Sequence, residues 1–142
     1  MGSLADLILA ESNDVSAIVA SEYPLGTFKG TNVDGLDPLK LAALHLIFTD
    51  KDFSNLLEHY KPIAEASTSG PWLIKLPGEL IAFLAGLPTQ DYNSAAVKWA
   101  STVQAQEEGW SVMDAEKFLG QVGHFAQVAA FEGKEVYLWV YS

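Results

Sequence analysis

A long helix followed almost at once by a strand that is apolar on both sides leaves few folds open to this chain. Ser111 with Asp114 three residues later forms a capping box, and Ala115, Phe118, Leu119, Val122, Phe125, Ala126 and Ala129 recur at helical spacing, so a helix is predicted from about Val112 to Glu132 with its stop at Gly133. The run Val136-Tyr137-Leu138-Trp139-Val140-Tyr141 then splits into two alternating sets, and both are apolar. A solvated edge strand would waste one of those sets, so the strand should lie inside a sheet with material on both faces. The class that accommodates this is α+β: a small mixed sheet packed by about five or six helices, with the C-terminal helix followed by an interior strand.

The rest of the chain divides at strong punctuation. Leu4 to Ala10 reads as strand or helix, and Asn13 or Asp14 can cap a short helix through Val15, Ile18 and Val19 that Pro24 ends. Gly26 to Gly35 is loop with a short strand around Phe28. Asp37 followed by Pro38 is a strong helix start, and the helix to Thr49 carries apolar side chains all round, which predicts burial on most sides. Asp52 can cap a helix through Phe53, Leu56, Leu57 and Tyr60, and Ser67 to Pro71 is a clear loop. Trp72 to Leu76 reads as a strand, Leu80, Phe83, Leu84 and Leu87 as a helix ended by Gly86 and Pro88, and Ala96, Trp99, Ala100 and Val103 as a further helix. These connectors are too short to be linkers, so residues 1–142 are expected to form one domain.

Charge excludes some partners and suggests others. The net charge is −10 and all eight basic residues are lysine, so the bidentate contacts by which arginine reads guanine and clamps phosphate are absent. An acidic surface also repels a polyanion, which argues against nucleic acid and suits a basic protein as partner; a second copy of the chain is the other candidate, through the outward face of the last helix. The longest apolar runs, near 41–48 and 80–88, fall short of the roughly 18 residues that span a bilayer. With no basic, apolar leader at the start of the sequence, a cytoplasmic protein that does not bind membranes is expected. Cysteine is absent, which removes disulfides and thiolate chemistry.

Three segments together resemble the YfbM-like family of small bacterial proteins of unknown function. They are Leu36-Asp37 through Leu44-His45 to Thr49, the run Pro71-Trp72-Leu73-Ile74-Lys75-Leu76-Pro77-Gly78-Glu79-Leu80, and the final helix with Gly133 and Val136 to Val140. The tryptophan usual one turn before the family's histidine is Leu41 here, and the glycine usual after the threonine is Asp50. The resemblance implies an α+β fold and no particular activity.

Few residues point to chemistry. His45 shares a helix face with Leu41, Ala42, Phe48 and Thr49, so it reads first as a core histidine satisfied by a backbone carbonyl or by Asp37. His59 sits late in its helix, where a cation suits the helix dipole, and His124 lies opposite the buried stripe of the last helix. The three histidines have no metal-ligand spacing, and no phosphate-cradling glycine motif or nucleophile elbow occurs, so neither metal nor cofactor is expected. Asp50-Lys51-Asp52 opens like a calcium loop, yet position six is Asn55 and position twelve Lys61, which favours helix capping. The outward face of the last helix, with Gly120, Gly123, His124, Val128 and Phe131, is the surface hardest to explain as a solvated face, because helix-interior glycine costs about 1 kcal/mol against alanine. Gly120, His124 and Phe131 are the candidate contact residues. The expected function is therefore a non-catalytic binding or interaction module. The alternative is a small hydrolase using His45 or His124 with a nearby carboxylate, which a pocket converging on either histidine would favour.

Overall fold

A computed structural model describes residues 4–141 and gives an α+β fold built on a five-stranded sheet. The strands are β1 (Leu4–Ala10), β2 (Lys29–Asn32), β3 (Ala64–Glu65), β4 (Trp72–Lys75) and β5 (Glu135–Tyr141), in the order β2-β1-β5-β4-β3. The helices are α1 (Val15–Ala20), α2 (Pro38–Leu46), α3 (Phe53–Leu57), α4 (Gly78–Ala85), α5 (Tyr92–Ala100), α6 (Val103–Glu107) and α7 (Val112–Glu132).

β5 lies between β1 and β4, in register from Leu4 opposite Tyr141 to Ala10 opposite Glu135 on one side and from Trp72 opposite Val140 to Lys75 opposite Tyr137 on the other. Its two apolar sets are used as their alternation requires. Val136, Leu138 and Val140 join Leu7, Leu9 and Ile74 in the large core under α2, α4, α5 and α7. Tyr137 and, partly, Trp139 face a smaller cluster with Ile8, Ala10, Ile18 and Leu73, closed by α1 and the turn at Leu25–Phe28.

Two details differ from the sequence expectation. Every strand pairing among the described residues is antiparallel rather than mixed. Between β4 and β5 the reason is that the four-helix excursion joining them begins and finishes at one end of the sheet, where Leu76 N–H donates to the Val136 carbonyl at 2.9 Å. There are also seven α-helices among the described residues rather than five or six. Thr102, extended at ψ 154° and accepting from Ala105 N–H, caps a separate α6 where one continuous helix through Val103 was expected.

At three of the other helix starts the caps follow the side-chain chemistry. Asp37 accepts from Lys40 N–H, Asp52 from Asn55 N–H, and Ser111 and Asp114 form the reciprocal capping box of α7. Asp52 thus serves as a cap. Ahead of α1, Glu11 and Asp14 form a capping box around the 3₁₀ turn Ser12–Asp14, while Asp14, expected as a cap of α1 itself, makes no side-chain cap hydrogen bond to it. Gly133 ends α7 at φ 68°, a left-handed position that glycine adopts at little cost. α2 is buried on most sides as expected, with Lys40 to His45 six consecutive buried residues, but Leu39 is 49% exposed and the helix ends at Leu46 rather than at the expected Thr49.

Candidate functional site

The first candidate centre forms where the end of α2 meets the start of α4. α2 carries His45 into the interior, where it is 2% exposed, and the chain returns after α3 through a 3₁₀ turn that buries Tyr60 beside it. α4 starts without a side-chain cap on Pro77, and its first turn presents Glu79. An acid in the first turn suits the helix dipole. Here it also reaches His45.

The His45 Nε2 to Glu79 Oε1 distance is 2.6 Å, and His45 Nδ1 lies 2.9 Å from the Tyr60 hydroxyl. Lys51 Nζ donates to both Glu79 oxygens at 3.3 and 3.2 Å. Hydrogen bonds from His45 and then Lys51 hold the Glu79 carboxyl below the usual carboxylate range, so it acts as an acceptor. Nε2 therefore donates to it, and Nδ1 pairs with the Tyr60 hydroxyl. The Tyr60 hydroxyl keeps its proton, because burial and then the Glu79 charge push its pKa far up. Tyr60 and Phe83 also meet the His45 ring edge-on, with centroids 5.9 and 6.1 Å away.

This arrangement corrects the expected partner of His45. Asp37 is committed elsewhere, capping α2 and pairing with Lys40 Nζ at 2.6 Å, and no backbone carbonyl holds the imidazole in place of Tyr60 and Glu79. His45 opens, with Glu79, onto a cavity of about 280 Å³ rimmed by Lys51, His59 and Pro77. His59 is exposed there, so it sits where it can meet a ligand as well as the helix end. A histidine acting as a general base must offer one nitrogen to the reacting group. Both nitrogens of His45 are already engaged by its own chain.

A second buried polar centre is Lys40, 2% exposed, which the sequence reading missed. Its ammonium lies 2.6 Å from Asp37, 3.0 Å from Glu108, and 5.7 Å from the centre of the Trp110 ring, while its carbonyl accepts from the Trp99 indole at 2.8 Å. Lys40 thus clasps the start of α2 to the end of α6 and to the aromatic trio Trp99, Trp110 and Phe118. The Glu108 carboxyl is held below its usual range, first by the hydrogen bond from Lys40. The three-residue step from the Asp37 cap to a lysine in an apolar helix was the only trace of this pair in the sequence.

The third candidate is the outer face of α7, and here the five outward residues separate. Gly123 is buried, because α5 lays Tyr92 across it; a Cβ added there would collide with the Tyr92 hydroxyl. Val128 is half-buried against the core. Gly120, His124 and Phe131 remain exposed; a Cβ at Gly120 would meet nothing within 4 Å, and Phe131 is 92% exposed. His124 touches only its neighbour Phe125 among aromatic groups, edge-on at 5.2 Å. No helix among the described residues is long and apolar enough to cross a membrane.

Comparisons with protein-family models, with curated proteins and with solved structures find no match to this chain.

Proposed function

We propose that the chain is a non-catalytic interaction protein of the cytoplasm that works through the outer face of α7. The observation that carries this reading is the exposure of that face: Phe131 at 92% and Met113 at 78% stand in one line with Gly120 and His124. The engagement of both His45 nitrogens weighs the same way, since that histidine is spent on joining α2, Tyr60 and α4. The net charge of −10 favours a basic protein as a partner for the remaining surface. Affinity capture from the native cell with wild-type and Phe131→Ser baits tests the reading. A protein kept by the wild type and lost from the variant is expected; identical retention by both baits counts against the α7 face.

A second reading, a small hydrolase, is favoured by one observation: the His45–Glu79 pair opens onto a cavity. Turnover of activated carboxylic or phosphate esters by the wild type, abolished in Glu79→Gln, would support it, and no turnover across such a panel would dismiss it. We also propose membership of the YfbM-like family. Support comes from where its three segments fall: on α2, on the β4-to-α4 junction and on the α7-to-β5 junction.

A further inference from the structure

The face of the sheet away from α7 is only partly covered. α1 and the turn at Leu25–Phe28 close it over Ile8 and Tyr137, but β5 runs on to Trp139 and Tyr141. There a cavity of about 350 Å³ opens between the end of α1 and the loop joining β3 to β4. Val19, Ala20, Ser21 and Glu22 line it from one element, Ala66 and Pro71 from the other, and Trp139 and Tyr141 from the sheet. Ala66 N–H donates to the Pro71 carbonyl at 3.0 Å, which pins the loop as a wall.

The lining carries charge of one sign. Glu22 is its only formal charge and no lysine reaches it. Glu58, Glu79, Glu108, Glu132 and Glu135 are each paired with a lysine, whereas Glu22 enters none of those pairs. α1 also ends here, with no basic residue in its last turn, and the end of a helix is its negative pole.

The aromatic groups have the matching polarity. Trp139 Nε1 is buried, so the positive N–H edge is turned inward and the indole shows the cavity its carbon surface. The Tyr141 ring lies 6.4 Å from it, tilted by 40°. A carboxylate beside two ring surfaces is the chemistry that holds an organic cation. A guanidinium uses both parts at once, because its flat face stacks on a ring while its N–H edge donates to a carboxylate. An ammonium is more strongly hydrated and has no flat face to stack.

From this we infer that the cavity takes an arginine side chain of a basic protein. The chain has no arginine, so a second copy cannot supply it. Aromatic surface continues past the cavity: Tyr141 is 42% exposed, and Tyr23, next to Glu22, is 67% exposed. That is more than a free cation covers, and tyrosine and tryptophan are the residues on which protein partners anchor. The assignment rests on the reading of the chain as partner of a basic protein, and it puts that partner on the opposite side of the sheet from the outer face of α7.

The indole N–H signal of Trp139 reports the site directly. The chain has four tryptophans, and Trp139→Phe identifies which of the four signals belongs to this one. Titration of labelled wild type with Nα-acetyl-arginine amide should move that signal saturably at millimolar concentration. Nα-acetyl-lysine amide should bind more weakly, and the neutral Nα-acetyl-norleucine amide should leave the signal in place. Glu22→Gln, on an exposed side chain, should melt like the wild type and weaken the arginine probe about threefold; Tyr141→Ser should weaken it by about as much. A pentapeptide with arginine between two leucines should bind several-fold tighter than the amide. No saturable movement with the arginine probe, equal movement with norleucine amide, or an unaltered affinity in Glu22→Gln overturns the cation site. Lysine amide binding as tightly as arginine amide overturns the choice of arginine, and a pentapeptide no tighter than the amide overturns the polypeptide occupant. Phe131→Ser should titrate like the wild type, so failure at this cavity leaves the α7 face standing, and failure of the α7 face leaves this titration unchanged.

Discussion

Two glycines three residues apart in one helix should respond to the same substitution with opposite signs. Gly120 and Gly123 both lie inside α7, and neither has a positive φ, so alanine fits the backbone at each. At Gly120 the added methyl meets nothing within 4 Å. Only the helix propensity changes there, and alanine is favoured by about 1 kcal/mol. A chain of 142 residues unfolds with an entropy of about 0.3 kcal/mol/K, so the melting temperature of Gly120→Ala should rise by about 3 °C. At Gly123 the same gain is opposed by overpacking against Tyr92, which typically costs 1–3 kcal/mol. Because the obstacle is the tip of a side chain, Tyr92→Phe removes the closest atom and should restore part of the gain. Thermal melting of the two alanine variants, and of the Gly123→Ala/Tyr92→Phe pair, at a few micromolar protein checks all three. An equal rise for Gly120→Ala and Gly123→Ala would refute the packing of α5 on Gly123.

Three further outcomes are expected. Removing residues from Glu135 onward strips the sheet of its central strand with Val136, Tyr137, Leu138 and Val140, whose burial is worth about 6–12 kcal/mol, comparable with the whole stability of a domain; the product should lack a cooperative melt by circular dichroism. Tyr60→Phe leaves the buried Nδ1 of His45 without its hydrogen-bond partner and should cost about 1–3 kcal/mol in chemical denaturation, with no change in the exposed surface. The Glu79 carboxyl is lowered in the folded chain, so its contribution is fully present above its ordinary value of 4.5 and disappears as pH falls through the lowered folded value. Glu79→Gln should therefore narrow the loss of melting temperature on acidification below 4.5, and an unchanged acid limb would show that the carboxyl is not held.

Legibility in the sequence followed the range of the interaction. α7 and its caps were readable to the residue, because Ser111, Asp114 and Gly133 act within one helical turn of the ends they define. The interior place of β5 was readable too, since alternation of two apolar sets reports on both faces at once. The break between α5 and α6 was missed: Thr102 is a local cap, but the apolar spacing from Ala96 to Val103 masked it. Two-residue β3 carries too little pattern to be seen at all. The His45 centre was legible in only one member. Burial of the imidazole followed from its helix, whereas Tyr60 and Glu79 are 15 and 34 residues away and reach it only after α3 and α4 are in place. Gly123 and Gly120 look alike in sequence; only the position of α5 distinguishes them.

The place of β5 between β1 and β4 also fixes an order of events. β1 and β5 pair along seven residues across about 130 residues of chain, while β1 with β2 and β3 with β4 are joined by far shorter loops. Until β5 arrives, the chain holds two separate hairpins, each with an open edge whose backbone groups face water. The two halves of the sheet become one only when that strand slides between them, so ordering of the large core waits on β5. During synthesis those two open edges are the surfaces most exposed to wrong pairing, and the time spent before residue 141 is made, rather than the stability of the finished sheet, sets the exposure to aggregation.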